Sequence, residues 1–374
     1  MISDLIREQN RSCDLAQPAL ENLTAPHWFC ADSLADSLDP WATEAVGHHF
    51  DQADASGFGL FFSFDHNHFS SPSEYTEYLK PLLSRPSYFK YAGKPLVSTF
   101  NGDSVTDGIW AEFKAAVGEV LLIPGFSAAI PGPDFFATRT ALDGVFHWNS
   151  WPDASPDKAD VSDAEDSAYL SAAHSAGKLF IMGISPLQFK HIDASEDNWY
   201  RRGDGNLELI LEQTLALKSN MIELQTWKDA GESIIWGIGG RSRLLALQSW
   251  TTSGTTIIRD ICRFLDLSFK RGSAVIRLPW PRDFGNAEDV VSGIVFVAAG
   301  KTDLVAIVSN WDRELGRVDL VERHNKLNIE GLGDGNVSIK VVDGSGAVSA
   351  EATGPLAVLS SAALCNYNFQ VVGF

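Results

Sequence analysis

The chain has 374 residues, with 48 Asp and Glu against 29 Lys and Arg, for a formal net charge of −19. That balance repels phosphate backbones, so nucleic acid is a poor partner and a neutral substrate suits the chain better. Hydrophobic residues at 45% and charged residues at 21% exclude global disorder, and no apolar run approaches the roughly 18 residues of an ordinary membrane helix.

In chain order, residues 1–54 are polar, broken by Pro18, Pro26 and Pro40, and show no strand pattern. The opening MISDLIREQNRSCDL carries acidic and amide residues where a secretion leader needs a basic flank and an apolar run. After residue 54 the pattern changes. GFGLFFSFDHNHF (57–69), KPLVSTFNGD (94–103), VGEVLLIPGF (117–126), LDGVFHWNSWP (142–152), LFIMGISP (179–186) and NMIELQTWKD (220–229) are apolar runs that end in polar residues. Such runs suit parallel strands buried on both faces. Helix-like segments alternate with them: SEYTEYLKPLL, DGIWAEFKAAV, DSAYLSAAHSAG and NLELILEQTLALKSN.

This alternation predicts βα units, and polar residues gathered past each strand predict a (β/α)-barrel over 55–270 with its site on that face. A doubly wound sheet also puts ligands at strand ends, yet no G-x-G-x-x-G follows the first strand. IIRDICRFLDLSFK (257–270) reads as the closing helix. Over 271–374, SAVIRLPWP, DVVSGIVFVAAG, TDLVAIVSNW and VSIKVVDG are β-branched runs separated by Gly, Asn and Asp. They predict an antiparallel module, a small β-sandwich.

Cys13, Cys30, Cys262 and Cys365 are too scattered for a metal knuckle, and one or two disulfides stay open. No cofactor or metal is expected. The sequons at Asn10, Asn22 and Asn336 also arise by chance in a chain of this size.

In a barrel the strand ends would gather Asp65, His66, Asn67 and His68; Thr99, Asn101 and Asp103; His147, Asn149 and Trp151; Ser185; and Trp227, Asp229 and Glu232 at one mouth. Glycosidic hydrolysis needs a carboxylic acid to protonate the leaving oxygen and a carboxylate to activate water or attack carbon. Asp65, Asp229 and Glu232 are the candidates. Each has a plainer reading: Asp65 as the cap of the next turn, and Asp229 with Glu232 as the two ends of a helix capping box. The histidines suit hydrogen bonds to hydroxyls or carboxylates better than a metal, whose ligands are usually spaced more tightly. Trp148, Trp151, Trp227 and Trp236 are either flat platforms for sugar rings or core residues with partnered indoles.

FFSFDHNHF, YFKYAGKPLVSTFNGD, DGVFHWNSWP, NWYRRGD and QTWKDAGES follow one another over about residues 55–240. As a set they resemble the fungal α-1,3-glucanases, or mutanases, of glycoside hydrolase family 71. The family's usual forms are FxSFD, GKPFVSTFxG, DxxFSWxAWP, WxxRGD and TWNDYGES. The likeness continues more weakly to CNYNFQVVGF (365–374).

The resemblance implies a (β/α)-barrel with a C-terminal β-sandwich and endo-type hydrolysis of α-1,3-glucan in fungal cell walls, with inversion and no cofactor. It implies a secreted or wall-associated protein, although this chain shows no leader. Its acidic pair falls on Asp229 and Glu232, its strand-end aspartate on Asp65, and the aspartate of WxxRGD on Asp204. Glu232 is expected as general acid and Asp229 as base, with the reverse assignment, or Asp65 as base, left open.

The chain departs from the family at Lys228, Ala230 and Ile234 of the acidic motif, and at Gly125, where the family's IPDW carries an acid. Lys228 would lower the pKa of a nearby carboxylate and so work against a protonated acid. The family's first two strands are not legible in residues 1–50. An impaired or truncated homologue that binds glucan without cleaving it is therefore the alternative.

Overall fold

A computed structural model describes residues 28–30, 38, 40–153, 159–185, 188–190, 199–201, 203, 205–224, 263–267, 290–298, 300–354, 357–358 and 370–372. Seven strands run parallel in chain order: Trp28–Cys30 (β1), Gly59–Asp65 (β2), Lys94–Phe100 (β3), Leu121–Pro124 (β4), Gly144–His147 (β5), Leu179–Ile184 (β6) and Met221–Leu224 (β7). Continuous ladders join β1 to β2, β2 to β3 and β3 to β4. Others join β5 to β6 and β6 to β7. A parallel bridge, Gly125↔Phe146, and a main-chain hydrogen bond from Asp143 N to Leu122 O link the two groups. Sequential parallel neighbours joined by helices form an arc of the kind a (β/α)-barrel contains.

Helices Pro40–Ser56 (α1), Thr76–Leu82 (α2), Asp107–Val117 (α3), Ala164–Ser175 (α4) and Asn206–Leu217 (α5) cover one face of this arc. Thr106 caps α3 by accepting a hydrogen bond from Ile109 N, and Gly118, at φ 92, ends it. On the sheet, Phe64 stacks on Tyr75 with ring centroids 3.7 Å apart, and Phe62 packs on Phe50 of α1 at 5.8 Å. Strand alternation therefore turns Phe61, Ser63 and Asp65 to the face away from the helices. Gly144 sits where β5 and β6 run so close that a Cβ would stand 2.5 Å from Leu179 O.

Two expectations need correction. Residues 1–54 were expected to hold no strand, yet β1 pairs with β2 from Trp28↔Gly59 to Cys30↔Phe61, and α1 begins at Pro40. Proline at the first helical position loses only an N–H that has no partner there. The expected closing helix over 257–270 contains instead a strand, Arg263–Leu267 (β8). Short apolar runs fit either helix or strand, and here the antiparallel ladder to Val290–Val297 (β9) decides.

That ladder belongs to a four-stranded sheet, completed by Arg323–Glu330 (β12) beside β9 and Gln370–Val372 (β15) beside β8. Leu304–Asn310 (β10), Arg313–Leu320 (β11), Val337–Val342 (β13) and Val348–Thr353 (β14) form a second antiparallel sheet. Val291, Val295 and Leu327 of the first sheet share one buried cluster with Ala306, Val308, Ile339 and Val341 of the second. The alternating burial of β10 is the period-2 pattern of a strand with one face in such a core. The expected strand at 273–281 lies outside the described residues.

Candidate active site

The ends of β2 and β3 meet in register, Asp65 beside Phe100. Asp65 does cap its turn: Oδ1 accepts from Asn67 N at 2.7 Å, and its main-chain oxygen accepts from His68 N and Phe69 N. The other carboxylate oxygen, Oδ2, stands 3.9 Å from Nε2 of the exposed His68, and the Asp65 side chain is 18% exposed. The cap thus engages one carboxylate oxygen and leaves the other facing His68. Asn67 is exposed, and its Oδ1 accepts a 2.6 Å hydrogen bond from Nδ2 of Asn101 across the strand ends.

Asp103 has a structural task. Its two oxygens accept from Ser127 N at 2.6 Å and Ala128 N at 3.1 Å, which fastens the loop after β4. The same junction is tightened by Gly102 N donating to Gly125 O and Gly125 N donating to Thr99 O.

His66 and His147 make the hydrogen bonds to a hydroxyl and to carboxylates that were expected of them, but in the helix layer and not at the mouth. His66 is buried with Nε2 3.1 Å from the Tyr75 hydroxyl and its ring edge-on to Trp110. Burial lowers its pKa, against the smaller opposing influences of the Phe69 main chain and the Asp65 and Glu74 carboxylates. His147 is also buried, with Nδ1 2.8 Å from Asp166 Oδ1 and Nε2 3.1 Å from Glu165 Oε2, both in the first turn of α4. Burial pushes the Asp166 carboxyl up, although the His147 hydrogen bond opposes it. This histidine braces strand against helix and sets the course of the next residues.

Trp148 takes the opposite face. Its ring lies 4.9 Å from Phe100 and 5.9 Å from Phe146, and it is half-buried. Trp151, by contrast, is only 6% exposed and is a core residue more than a platform. Buried Asn206, opening α5, donates through Nδ2 to both Ser150 O and Ser185 O at 2.9 Å and so ties the ends of β5 and β6 together.

Sequence reasoning missed three of these residues. Phe100 is half of an aromatic wall, and its signal was the alignment of FSFD with VSTF that puts it beside Asp65. Asn206 gave no signal outside its helix. Glu223 of β7 is the third. The row His147↔Met182↔Ile222 faces the helices, where Thr214 of α5 donates to Met182 Sδ at 3.4 Å. Glu223, paired with Gly183, belongs to the alternate row and turns a carboxylate toward the face that carries Asp65 and Trp148. Asp204, Trp227, Asp229, Glu232 and Trp236 lie outside the described residues. Among the described residues no group of three or more His, Cys, Asp or Glu side chains is arranged to hold a metal ion.

One end of the parallel strands therefore presents a carboxylate, an aromatic wall and a pair of linked amides, a surface suited to a neutral, hydroxyl-rich ligand with flat apolar faces. Residues 32–242 match the profile of Glycosyl hydrolase family 71. The chain is 31% identical over 212 residues to glucan endo-1,3-alpha-glucosidase agn1 of Schizosaccharomyces pombe, covering 52% of this chain and 47% of that protein. It is 26% identical to a mutanase of Penicillium rubens, over 57% of this chain and 48% of that one. An ascus wall endo-1,3-alpha-glucanase of S. pombe is also 26% identical, over 53% and 48%. The chain spans about half the length of the curated relatives it matches. Among solved structures, the GH99 endo-alpha-mannosidase from Bacteroides thetaiotaomicron superposes with a TM-score of 0.45 at 15% identity, over 67% of this chain and 74% of that one.

Proposed function

The chain belongs to glycosyl hydrolase family 71, and from that premise we propose that it hydrolyses α-1,3-glucosidic bonds of a fungal wall glucan with inversion at the anomeric carbon. The observation that carries this reading is the register of β2 and β3: Asp65 stands beside Phe100, and Phe100 beside Trp148, at the strand ends. A sugar ring laid on such a wall keeps its apolar face dry while Asn67, Asn101 and His68 meet its hydroxyls.

In this reading Glu232 protonates the leaving oxygen and Asp229 activates water. Inversion requires the two carboxyl groups about 6.5–9.5 Å apart so that the water fits. Asp65 orients that water or holds a hydroxyl. The parallel arc that begins at β1 belongs to a barrel, the antiparallel sheets, β8 included, pack as a β-sandwich, and the protein works outside the cell on wall polysaccharide. No cofactor takes part.

A second reading, glucan binding without cleavage, draws on Gly125. The family's acid is absent there, and a Cβ would stand 2.7 Å from Thr99 O, so the position has no room for an acidic side chain.

The test compares unactivated α-1,3-glucan oligosaccharides with an aryl glycoside that carries a good leaving group. Glu232→Gln should slow the oligosaccharides about 10²-fold or more, the usual scale of general acid–base assistance, and the aryl glycoside less. Asp229→Asn should slow both alike. The opposite pattern would exchange the two roles. Wild-type rates in both variants would remove the pair from the mechanism, and no hydrolysis by the unaltered chain would leave the binding reading.

A further inference from the structure

Outside the strand-end site, the antiparallel sheets carry one feature that folding alone does not explain. Trp311 stands at the tip of the β10–β11 hairpin with 69% of its surface in water and its backbone in the left-handed region at φ 55. Exposure forgoes most of what burying an indole contributes, and a bulky residue at positive φ is strained. A glycine or asparagine would serve the turn better.

The ring is nonetheless held in place. Trp311 N donates to Asn336 O at 2.7 Å, and the indole rests against the main chain of Gly335, where an added Cβ would stand 2.6 Å from Trp311 Cε3. Gly335 is itself at φ 125. On one flank, buried Asn310 accepts from Gly333 N at 2.9 Å. On the other, the exposed Arg313 donates through Nη2 to Gly331 O. The hairpin tip is thus clamped to residues 331–336 while one flat aromatic face and the rest of a guanidinium remain open to solvent.

We propose that Trp311 and Arg313 form a surface site on the antiparallel sheets for a neutral glucan chain, built from residues other than those of the strand ends. The indole offers a platform for the C–H face of a pyranose ring, and the guanidinium offers donors to hydroxyl oxygens. The net charge of −19 disfavours a polyanionic occupant. A pinned aromatic loses little freedom when a ligand lands on it, which favours binding over a loose side chain of equal size. The identity of the glucan rests on the glucanase reading above; the existence of the site does not.

The test uses the full chain and two variants that suit positive φ, Trp311→Gly and Trp311→Asn, with Trp311→Tyr as the conservative control. Retention on insoluble α-1,3-glucan and hydrolysis of soluble α-1,3-oligosaccharides are measured in parallel. Gly and Asn should weaken retention about tenfold or more, the scale of losing one aromatic anchor, and Tyr should keep most of it. Soluble hydrolysis should stay unchanged in all three, and melting temperatures should be equal to or above the wild type for Gly and Asn. Wild-type retention in both variants, or no retention of the unaltered chain, overturns the proposal. Trp311-dependent retention without any α-1,3 cleavage would uphold the site and sink the catalytic reading. Cleavage with Trp311-independent retention would do the reverse.

Discussion

Asn101 donates through Nδ2 to Oδ1 of Asn67 at 2.6 Å, and it does so from a left-handed backbone at φ 53. Asparagine is among the few residues that tolerate that region, so position 101 serves the turn after β3 and the amide pair at once. The two tasks separate by mutation. Asn101→Gly keeps the turn and removes the amide, so stability should change by only a few tenths of a kcal/mol, while KM for glucan oligosaccharides rises. Asn101→Ala removes the amide and forces a β-carbon into positive φ, adding a loss of about 1–2 kcal/mol. Equal melting temperatures for the two variants would contradict the strain argument, and an unchanged KM in both would take the amide pair out of the site.

How far the sequence discloses this arrangement depends on the property asked for. Parallel strands buried on both faces are written as continuous apolar runs, which is why all six runs over 57–229 form the strands expected of them. Trp28–Cys30 has three residues and carries no period, and Arg263–Leu267 holds Phe264, Leu265 and Leu267 in a pattern either helix or strand accepts. In both places the ladder with a distant strand makes the choice, and single-segment periodicity has no access to it.

The site follows the same logic one level down. A strand end can be read from composition, but adjacent residues there point to opposite faces. Asp65 and Trp148 take the open face, while His66 and His147 turn to Tyr75 and Asp166 in the helix layer. Only the register resolves which is which, and the partners of both histidines lie in other segments. Chemistry-bearing residue types at a strand end are therefore a superset of the site.

His66 and Tyr75 give a prediction in pH. Burial holds the His66 pKa below its ordinary value of about 6.5, so the unfolded chain takes up a proton that the folded chain resists. The contribution of neutral His66 is present above pH 6.5 and declines as pH falls toward the folded pKa. His66→Phe should flatten the fall in melting temperature on the acid side of pH 6.5. It also strands the hydroxyl of Tyr75, which is fully buried, at a cost of about 1–3 kcal/mol. The double variant His66→Phe, Tyr75→Phe removes both partners and should recover most of that loss while keeping the flatter profile. Thermal melts from pH 8 to pH 5 check both points; a His66→Phe profile as steep as the wild type would show that other groups set the acid slope.

The last prediction concerns Gly125, where the family's motif carries an acid. Gly125 N donates to Thr99 O at 2.7 Å, its oxygen accepts from Gly102 N at 2.8 Å, and it forms the parallel bridge to Phe146 that joins β4 to β5. A Cβ there would lie 2.7 Å from Thr99 O, a main-chain atom near the C-terminal end of β3, and 3.2 Å from Phe146 Cδ1. A backbone oxygen cannot rotate away as a side chain does, so room is made only by parting the strands. Gly125→Ala should therefore destabilise by about 1–3 kcal/mol, the usual cost of overpacking. Gly125→Asp should cost at least as much, because it sets a carboxylate against the main-chain oxygen of Thr99 and the Phe146 ring at a buried position. Restoring the family's residue should then lower glucan hydrolysis instead of raising it, since the displaced Phe146 carries Trp148 and the aromatic wall with it. Urea unfolding and oligosaccharide hydrolysis on the two variants decide the matter. A loss confined to Asp would assign the effect to charge. A gain in activity with unchanged stability would mean that the strands at this junction have the slack that the Thr99 and Gly102 hydrogen bonds deny.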